Sequence, residues 1–287
     1  MINFRSLLFT PGNRSDRFEK GIATGTDALV LDWEDGVSCS QKEDARKKVV
    51  EFFQIKGNEF ATKVGIRINA LDTNEIHRDV SALLENRINP GFIMLAKTEG
   101  VRDVEILAAW LGKDYGAVPI IVLIESLAGL DNIDALTQHP RVGGVGFGPG
   151  DFSAEMGLKA NNWEGLMYGR HVVAKAAHKA KILAIDGPCL EIKNSKALEE
   201  EIRKDIMLAF EAKIAIHPLQ VKLINQGFSP SREETDWAAM VLKGYEEHNQ
   251  NAYQTEAGEM IDKAIVRRAA SILRRQSKDV DNGRARE

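Results

Sequence analysis

The chain has 287 residues and a formal net charge of −4, with a pI near 6.0, a balance that argues against broad nucleic-acid binding. Its 44% hydrophobic and 28% charged residues describe a globular protein, and the length suits a single α/β barrel of about 250 residues. Two cysteines, Cys39 and Cys189, are too few for a disulfide framework or a four-cysteine metal site and read as unpaired thiols of a reducing compartment.

The opening MINFRSLLFTPGN has too short an apolar run for a signal peptide, and no run approaches the ~18 residues of a membrane span. The expectation is a cytoplasmic protein with no membrane partner. A first strand is predicted at SLLFT (6–10), followed by the helical RSDRFEKGIATG; a second at ALVLDW (28–33), followed by QKEDARKKVVEFF. KVGIRI (63–68) precedes TNEIHRDVSALLEN, and GFIMLA (91–96) precedes VRDVEILAAWLG. PIIVLI (119–124), VGGVGF (142–147), KILAI (181–185) and KIAIH (213–217) complete eight strands, with SKALEEEIRKDIMLAFEA helical before the last. Most of these runs are continuously apolar, as parallel strands covered on both faces require. Asn13, Ser40, Thr73 and Ser195 are the expected helix caps.

Eight strand–helix repeats at roughly 30-residue spacing predict a closed (β/α)8 TIM barrel over residues 1–228. An open doubly wound sheet is the weaker reading, because no GxGxxG follows the first strand. After Pro230 the pattern changes: 232–248 reads as a helix, NQNAYQTEAG as a polar connection, GEMIDKAIVRRAASILRR as a second helix, and SKDVDNGRARE as polar enough for disorder. Residues 229–287 are therefore expected to be a helical extension able to cover a site as a lid.

The unusual polar residues gather where the strands end. PGNR follows strand one, WED strand two, Arg67 and Asn69 close strand three, and Lys97 follows strand four. Glu125 follows strand five, Asp151 strand six, IDGP ends strand seven and His217-Pro218 strand eight. In a parallel barrel these positions share the active face. Neighbouring strands lie about 4.8 Å apart, so Glu125 and Asp151 can approach one cation. Two carboxylates with other positions open suit Mg²⁺, and no HxxxH or HExxH spacing favours zinc. Arg67 interrupts an apolar strand and needs an anion, either Glu34 or Asp35 of WED or an anionic ligand. Arg14 and Lys20, at the first turn and helix, could hold a phosphate. Lys97 is readable as a Schiff-base lysine or as a substrate-orienting or structural cation. The glycine-dense GGVGFGPGD matches neither nucleotide-loop spacing; its glycines would let strand six end close to a ligand, with Asp151 aimed at a metal.

The ordered series RSLLFTPGNRSDRFEK, ALVLDWEDGVSCSQKEDAR, IRINALDT, LIESLAGL, GFGPGD, AIDGP and AIHPLQVKLINQGFSPS resembles the HpcH/HpaI aldolase–citrate lyase superfamily, in its citrate lyase β-subunit-like and malyl-CoA lyase branch. The resemblance spans nearly all of residues 4–275 and implies a TIM barrel, commonly trimeric, that makes or breaks carbon–carbon bonds beside a CoA thioester. It implies Mg²⁺ on Glu125 and Asp151, with Mn²⁺ as a substitute, and Arg67 on the substrate carboxylate or oxo group. Arg14 and Lys20 correspond to CoA-binding positions, Pro188 of AIDGP to a substrate-binding one, and Glu34 and Asp35 to a pair supporting the arginine and metal-water network. Asp262 of GEMID corresponds to an acid that completes a neighbouring subunit's site as proton donor or acceptor. The chain departs from the common pattern at GPGD, at MLAK in place of MLPK, and at Lys263 after GEMID.

The implied reaction cleaves a β-hydroxyacyl-CoA, such as malyl- or citramalyl-CoA, to an acyl-CoA and a 2-oxo acid, or runs in reverse. Other readings are a citrate lyase β subunit acting on a carrier-bound citryl thioester, an aldolase acting without CoA, and a ligand-binding barrel without catalysis.

Overall fold

The computed structural model describes residues 2–60, 62–255 and 258–284. Eight parallel strands close a barrel in sequence order, each pairing with the next and the eighth with the first. They are β1 (Ser6–Pro11), β2 (Ala28–Asp32), β3 (Val64–Ile68), β4 (Ile93–Leu95), β5 (Ile120–Ile124), β6 (Val142–Phe147), β7 (Leu183–Asp186) and β8 (Ala212–Ala215). The TIM-barrel expectation holds.

The helices are α1 (Phe18–Ala23), α2 (Lys42–Phe60), α3 (Ile76–Glu85), α4 (Val101–Leu111), α5 (Leu127–Asp131), α6 (Ile133–Gln138), α7 (Pro149–Glu155), α8 (Met167–Ala180), α9 (Ser195–Met207) and α10 (Pro218–Phe228). Covered by these helices, β2, β4, β5, β7 and β8 are buried at every residue, the reason their sequences do not alternate. The barrel's interior is filled by Leu7, Val30, Phe92, Met94, Ile121 and Ile214 among others. Phe92 is fully enclosed and meets the Phe4 ring at 5.5 Å between centroids; truncating such a ring costs about 3–5 kcal/mol.

The expected caps are corrected. Asn13 donates its side-chain amide to Gln41 Oε1 at 2.9 Å, and Arg14 stands at the start of a 3₁₀ turn, Ser15–Arg17. Ser40 lies inside another such turn, Cys39–Gln41. Thr73 Oγ1 donates to the Ala70 carbonyl at 2.8 Å, while α3 begins three residues later behind Glu75. Asn194, not Ser195, caps α9, accepting the Ala197 N–H at 3.1 Å. Short 3₁₀ turns absorb residues that periodicity alone assigns to the helix start.

The chain divides into two compact units, Met1–Asn225 and Gln226–Glu287, the division falling within α10. In the second, α11 (Arg232–Glu247) opens on a reciprocal cap: Ser231 Oγ accepts the Glu234 N–H at 3.0 Å and Glu234 accepts the Ser231 N–H at 2.9 Å. The polar NQNAYQTEAG stretch contributes a strand, β9 (Tyr253–Gln254), which pairs antiparallel with β10 (Met260–Ile261). A helix, α12 (Lys263–Arg284), follows. It runs through most of the tail read as disordered, while residues 285–287 lie outside the described residues. Ala238, Val241, Ile261, Ala269 and Ile272 form this unit's core. Gly244 makes room for Tyr253, since a Cβ there would overlap the phenol ring. Among the described residues, no helix is long and apolar enough to cross a membrane.

Candidate active site

The barrel register sets the site's first pair. Asp32 ends β2 directly beside Arg67 of β3, and Arg67 Nε and Nη2 donate to the two Asp32 oxygens at 2.7 Å each. Nη1 reaches Glu34 Oε2 at 2.9 Å, and the guanidinium lies over the Phe9 ring, 4.9 Å from its centroid. Burial works against the charge, but Asp32 and then Glu34 hold it firmly protonated. The sequence points to Glu34 or Asp35 as the partner. Glu34 is one, Asp35 is not, and the bidentate partner is Asp32. Strand register carried the missing signal: an acid and an arginine at the same height on adjacent strands.

Lys97 follows β4 with a left-handed backbone, φ 48°, a strained conformation for a residue with a side chain. That turn aims its N–H at Glu125 Oε2, 2.9 Å away. Its ammonium meets Glu34 Oε1 at 2.7 Å, Asp35 Oδ2 at 3.1 Å and Asp151 Oδ2 at 3.3 Å. Burial opposes the charge, yet Glu34 and then Asp35 raise its pKa above the ordinary lysine value. A Schiff-base nucleophile needs a neutral amine, so Lys97 is read as a structural cation joining three strand ends. Glu34 is itself raised by burial against the pull of Arg67 and Lys97. Asp35 is lowered, the hydrogen bond and charge of Lys97 outweighing burial.

Glu125 follows β5, and the chain of β6 passes beside it, Gly148 N–H donating to the Ile124 carbonyl at 2.9 Å. A Cβ at Gly148 would overlap the Glu125 side chain, so this glycine of GFGPGD makes room for the carboxylate itself. Pro149 opens α7, where its fixed φ suits the first helical position, and Asp151 lies in that first turn. Burial pushes the Glu125 carboxyl up to about 7, Arg67 offsetting part of the rise while Glu34 and Asp151 add to it.

Two cavities meet at Glu125 and Asp151. One, of about 500 Å³, is rimmed by further acids, Asp72, Glu99, Asp103 and Glu155. The other, of about 250 Å³, holds Arg67 and Asp35 against apolar walls that include Pro188. No histidine or cysteine lines either, and no group of three or more His, Cys, Asp or Glu side chains among the described residues is placed to hold a metal ion. The donor set at their junction is two carboxylates and nothing softer. That set fits a hard divalent cation retaining water or substrate oxygens.

Other expected residues lie elsewhere. Arg14 is bound bidentately to Asp16 at 2.9 Å, Lys20 is exposed on α1, and neither lines these cavities. Asn69 is buried, bridging Asp79 and the Trp33 carbonyl and accepting from Lys42. His217 Nδ1 accepts the Leu219 N–H at 3.2 Å. Asp186 of IDGP is enclosed among Arg170, Lys213 and Asp205. In the second unit, exposed Asp262 caps α12, accepting Ala264 and Ile265 N–H groups at 2.8 and 3.0 Å. Those two bonds hold its carboxyl below the usual range.

A family model, HpcH/HpaI aldolase/citrate lyase, matches residues 5–218. The chain is 27% identical to the mitochondrial citramalyl-CoA lyase of Rattus norvegicus, over 94% of this chain and 85% of that protein. It is 29% identical to an L-malyl-CoA/beta-methylmalyl-CoA lyase of Cereibacter sphaeroides, over 94% and 93%. Among solved structures, protein CitE of Mycobacterium tuberculosis, in complex with magnesium, acetoacetate and coenzyme A, superposes with a TM-score of 0.79 at 28% identity, over 94% of this chain and 97% of that one.

Proposed function

This chain belongs to the HpcH/HpaI aldolase/citrate lyase family and is an enzyme of the lyase type, and from that premise we propose that it cleaves or forms a carbon–carbon bond in a β-hydroxyacyl-CoA such as malyl-CoA or citramalyl-CoA. The observation that carries the reading is the junction of Glu125 and Asp151 on the cavity that holds Arg67. It is one carboxylate pair for a cation beside one guanidinium for developing negative charge.

Glu125 and Asp151 would hold Mg²⁺, or Mn²⁺ in its place, and the ion supplies Lewis acidity toward the substrate's hydroxyl and carboxylate oxygens. Arg67 offsets the charge that grows on oxygen as the bond breaks. Its contacts to Asp32, Glu34 and Phe9 keep the guanidinium in place before substrate arrives. Nε and one Nη2 N–H are bound to Asp32 and Nη1 is ion-paired with Glu34; a guanidinium carries five N–H donors, so donors remain on its terminal nitrogens for substrate. Lys97 ties Glu34, Asp35 and Asp151 together, its charge offsetting part of their mutual repulsion. Arg14 and Lys20 are the cations offered to the CoA phosphates.

The β-hydroxyl loses its proton to solvent as its C–O bond becomes the C=O of the 2-oxo acid. The C–C bond breaks and leaves the electron pair on the thioester's α-carbon. Asp262 of the partner subunit in a homotrimer, in its protonated form, gives a proton there and regains one from solvent. In condensation the same carboxylate removes a proton from that carbon. CoA thioesters incubated with and without Mg²⁺ and analysed by mass test the reading: metal-dependent release of an acyl-CoA and a 2-oxo acid is the expected result. No turnover across the panel sinks it. If Glu125→Gln and Asp151→Asn both leave Mg²⁺ binding intact, the metal assignment is wrong.

A further inference from the structure

Part of the wall of the cavity beside Arg67 comes from the ends of the last two barrel strands. Pro188 and Leu190 follow β7, while Ile214 and Ile216 belong to the end of β8 and the residues after it. One side chain joins these two segments. Gln220, in the first turn of α10 and 1% exposed, accepts the Ile216 N–H on Oε1 at 2.9 Å. From Nε2 it donates to the Cys189 carbonyl at 2.8 Å. Cys189 lies between the two wall residues of the β7 loop, so that bond holds the segment presenting both. On its other side the same loop rests on α7, since a Cβ at Gly187 would overlap Pro149, two residues ahead of Asp151. The β7 loop is thus seated between the helix carrying a candidate metal ligand and the amide of Gln220.

Capping α10 explains only half of this arrangement. A glutamine or glutamate in the first turn of a helix commonly accepts a backbone N–H from just before the helix, a task for the oxygen alone. The Nε2 bond instead reaches 31 residues back along the chain and does nothing for the helix. A buried carbonyl deprived of its donor is costly, so losing this bond favours movement of the loop. We propose that Gln220 is a positioning residue whose amide, tying the β7 loop to the β8 loop, sets the wall of the cavity that receives the 2-oxo acid. It does not line the cavity itself and acts through Pro188, Leu190 and Ile216. The proposal rests on the lyase reading for the class of ligand and adds a residue which that reading does not use.

The test separates the donor from the acceptor. Gln220→Glu at pH 8 keeps an oxygen for the Ile216 N–H and loses the donor to Cys189, whereas Gln220→Met loses both. Pyruvate is titrated calorimetrically into the Mg²⁺-equilibrated protein. Cys189 is labelled with dithionitrobenzoate in a Cys39→Ser background, Cys39 being exposed and Cys189 buried. Burial and then Glu201 push the Cys189 thiol up to about 11, so in a held loop it reacts slowly. Both variants should bind pyruvate at least about tenfold more weakly, with Mg²⁺ affinity within about twofold of wild type. Both should also label Cys189 at least about tenfold faster as the loop opens. A Gln220→Glu variant that behaves as wild type reduces Gln220 to a helix cap and overturns the proposal. Unchanged pyruvate affinity in Gln220→Met does the same, as does weaker binding without faster labelling. An equal fall in Mg²⁺ affinity places the effect at the metal, and loss of near-ultraviolet circular dichroism in both variants makes Gln220 scaffold; either overturns it. Wild-type protein that binds no pyruvate sinks the lyase reading and this proposal with it, whereas wild-type binding with unaltered variants sinks the proposal alone.

Discussion

The barrel contains two ionic clusters built from the same residue types, and they differ in what surrounds them. At the ends of β2 to β6, Asp32, Glu34, Asp35, Glu125 and Asp151 face Arg67 and Lys97 beside open cavities. Behind β7 and β8, Lys213 is fully buried and bound to Asp186 at 2.6 Å, Asp205 at 2.8 Å and Glu201 at 3.2 Å, while Arg170 holds the other Asp186 oxygen at 2.8 Å. There, burial and the charge of Asp186 push the Asp205 carboxyl well above its ordinary value. Two cations there face three acids, against two cations facing five acids at the open site. The enclosed cluster is closer to charge balance and closed; the open one keeps a larger excess of acids and space for a ligand. Charge imbalance beside a cavity, and not the presence of buried ions, separates the candidate site from scaffolding.

Neutralising single members of the two clusters should therefore change unfolding stability in opposite directions. The largest effect is expected from Lys213→Met, which leaves Asp186 with Arg170 alone and takes the cation away from Asp205 and Glu201. A loss of about 3–5 kcal/mol in chemical denaturation is predicted, and a loss below about 1 kcal/mol would mean the cluster is wetter than it looks. Asp186→Asn should cost about 2–4 kcal/mol by leaving Lys213 and Arg170 under-neutralised. Glu125→Gln reverses the sign: it removes a buried acid from a negative surplus, so the metal-free protein should gain on the order of 1–3 kcal/mol at pH 8 while divalent-ion binding is lost. A destabilised Glu125→Gln variant would erase the distinction between the clusters. Asp262→Asn should be nearly neutral for stability, within about 0.5 kcal/mol, because asparagine caps a helix as well as aspartate. Turnover should nevertheless fall at least about 100-fold, since the amide cannot transfer the proton; unchanged turnover removes Asp262 from the reaction.

Arg67, Glu125 and Asp151 were readable from the chain because each interrupts or ends an apolar run, and a parallel barrel sends all such ends to one face. Asp186 obeyed the same rule and misled, since it ends β7 yet is wholly enclosed. A fully buried strand has no alternation to say which way its last side chain points. Lys213 sits in the apolar run KIAIH for the same reason, its charge matched by residues on α9 that no local pattern connects to it. Lys97 was visible as a strand-end lysine, but its three partners come from the ends of β2 and β6, and they decide that it is a cation and not a nucleophile.

What the sequence alone determined is the order of eight strands and their intervening helices, because continuous apolar runs and helical periodicity are local properties. The ordered motifs, similarly, identified the family. What only the tertiary structure decided is which charges share a site, because that depends on register and burial. Asp32 meets Arg67 through strand pairing, and Gly148 yields its side-chain space to Glu125. Asp186 and Lys213 cancel out of solvent's reach, since interaction between charges depends on distance and surroundings that no stretch of chain specifies by itself.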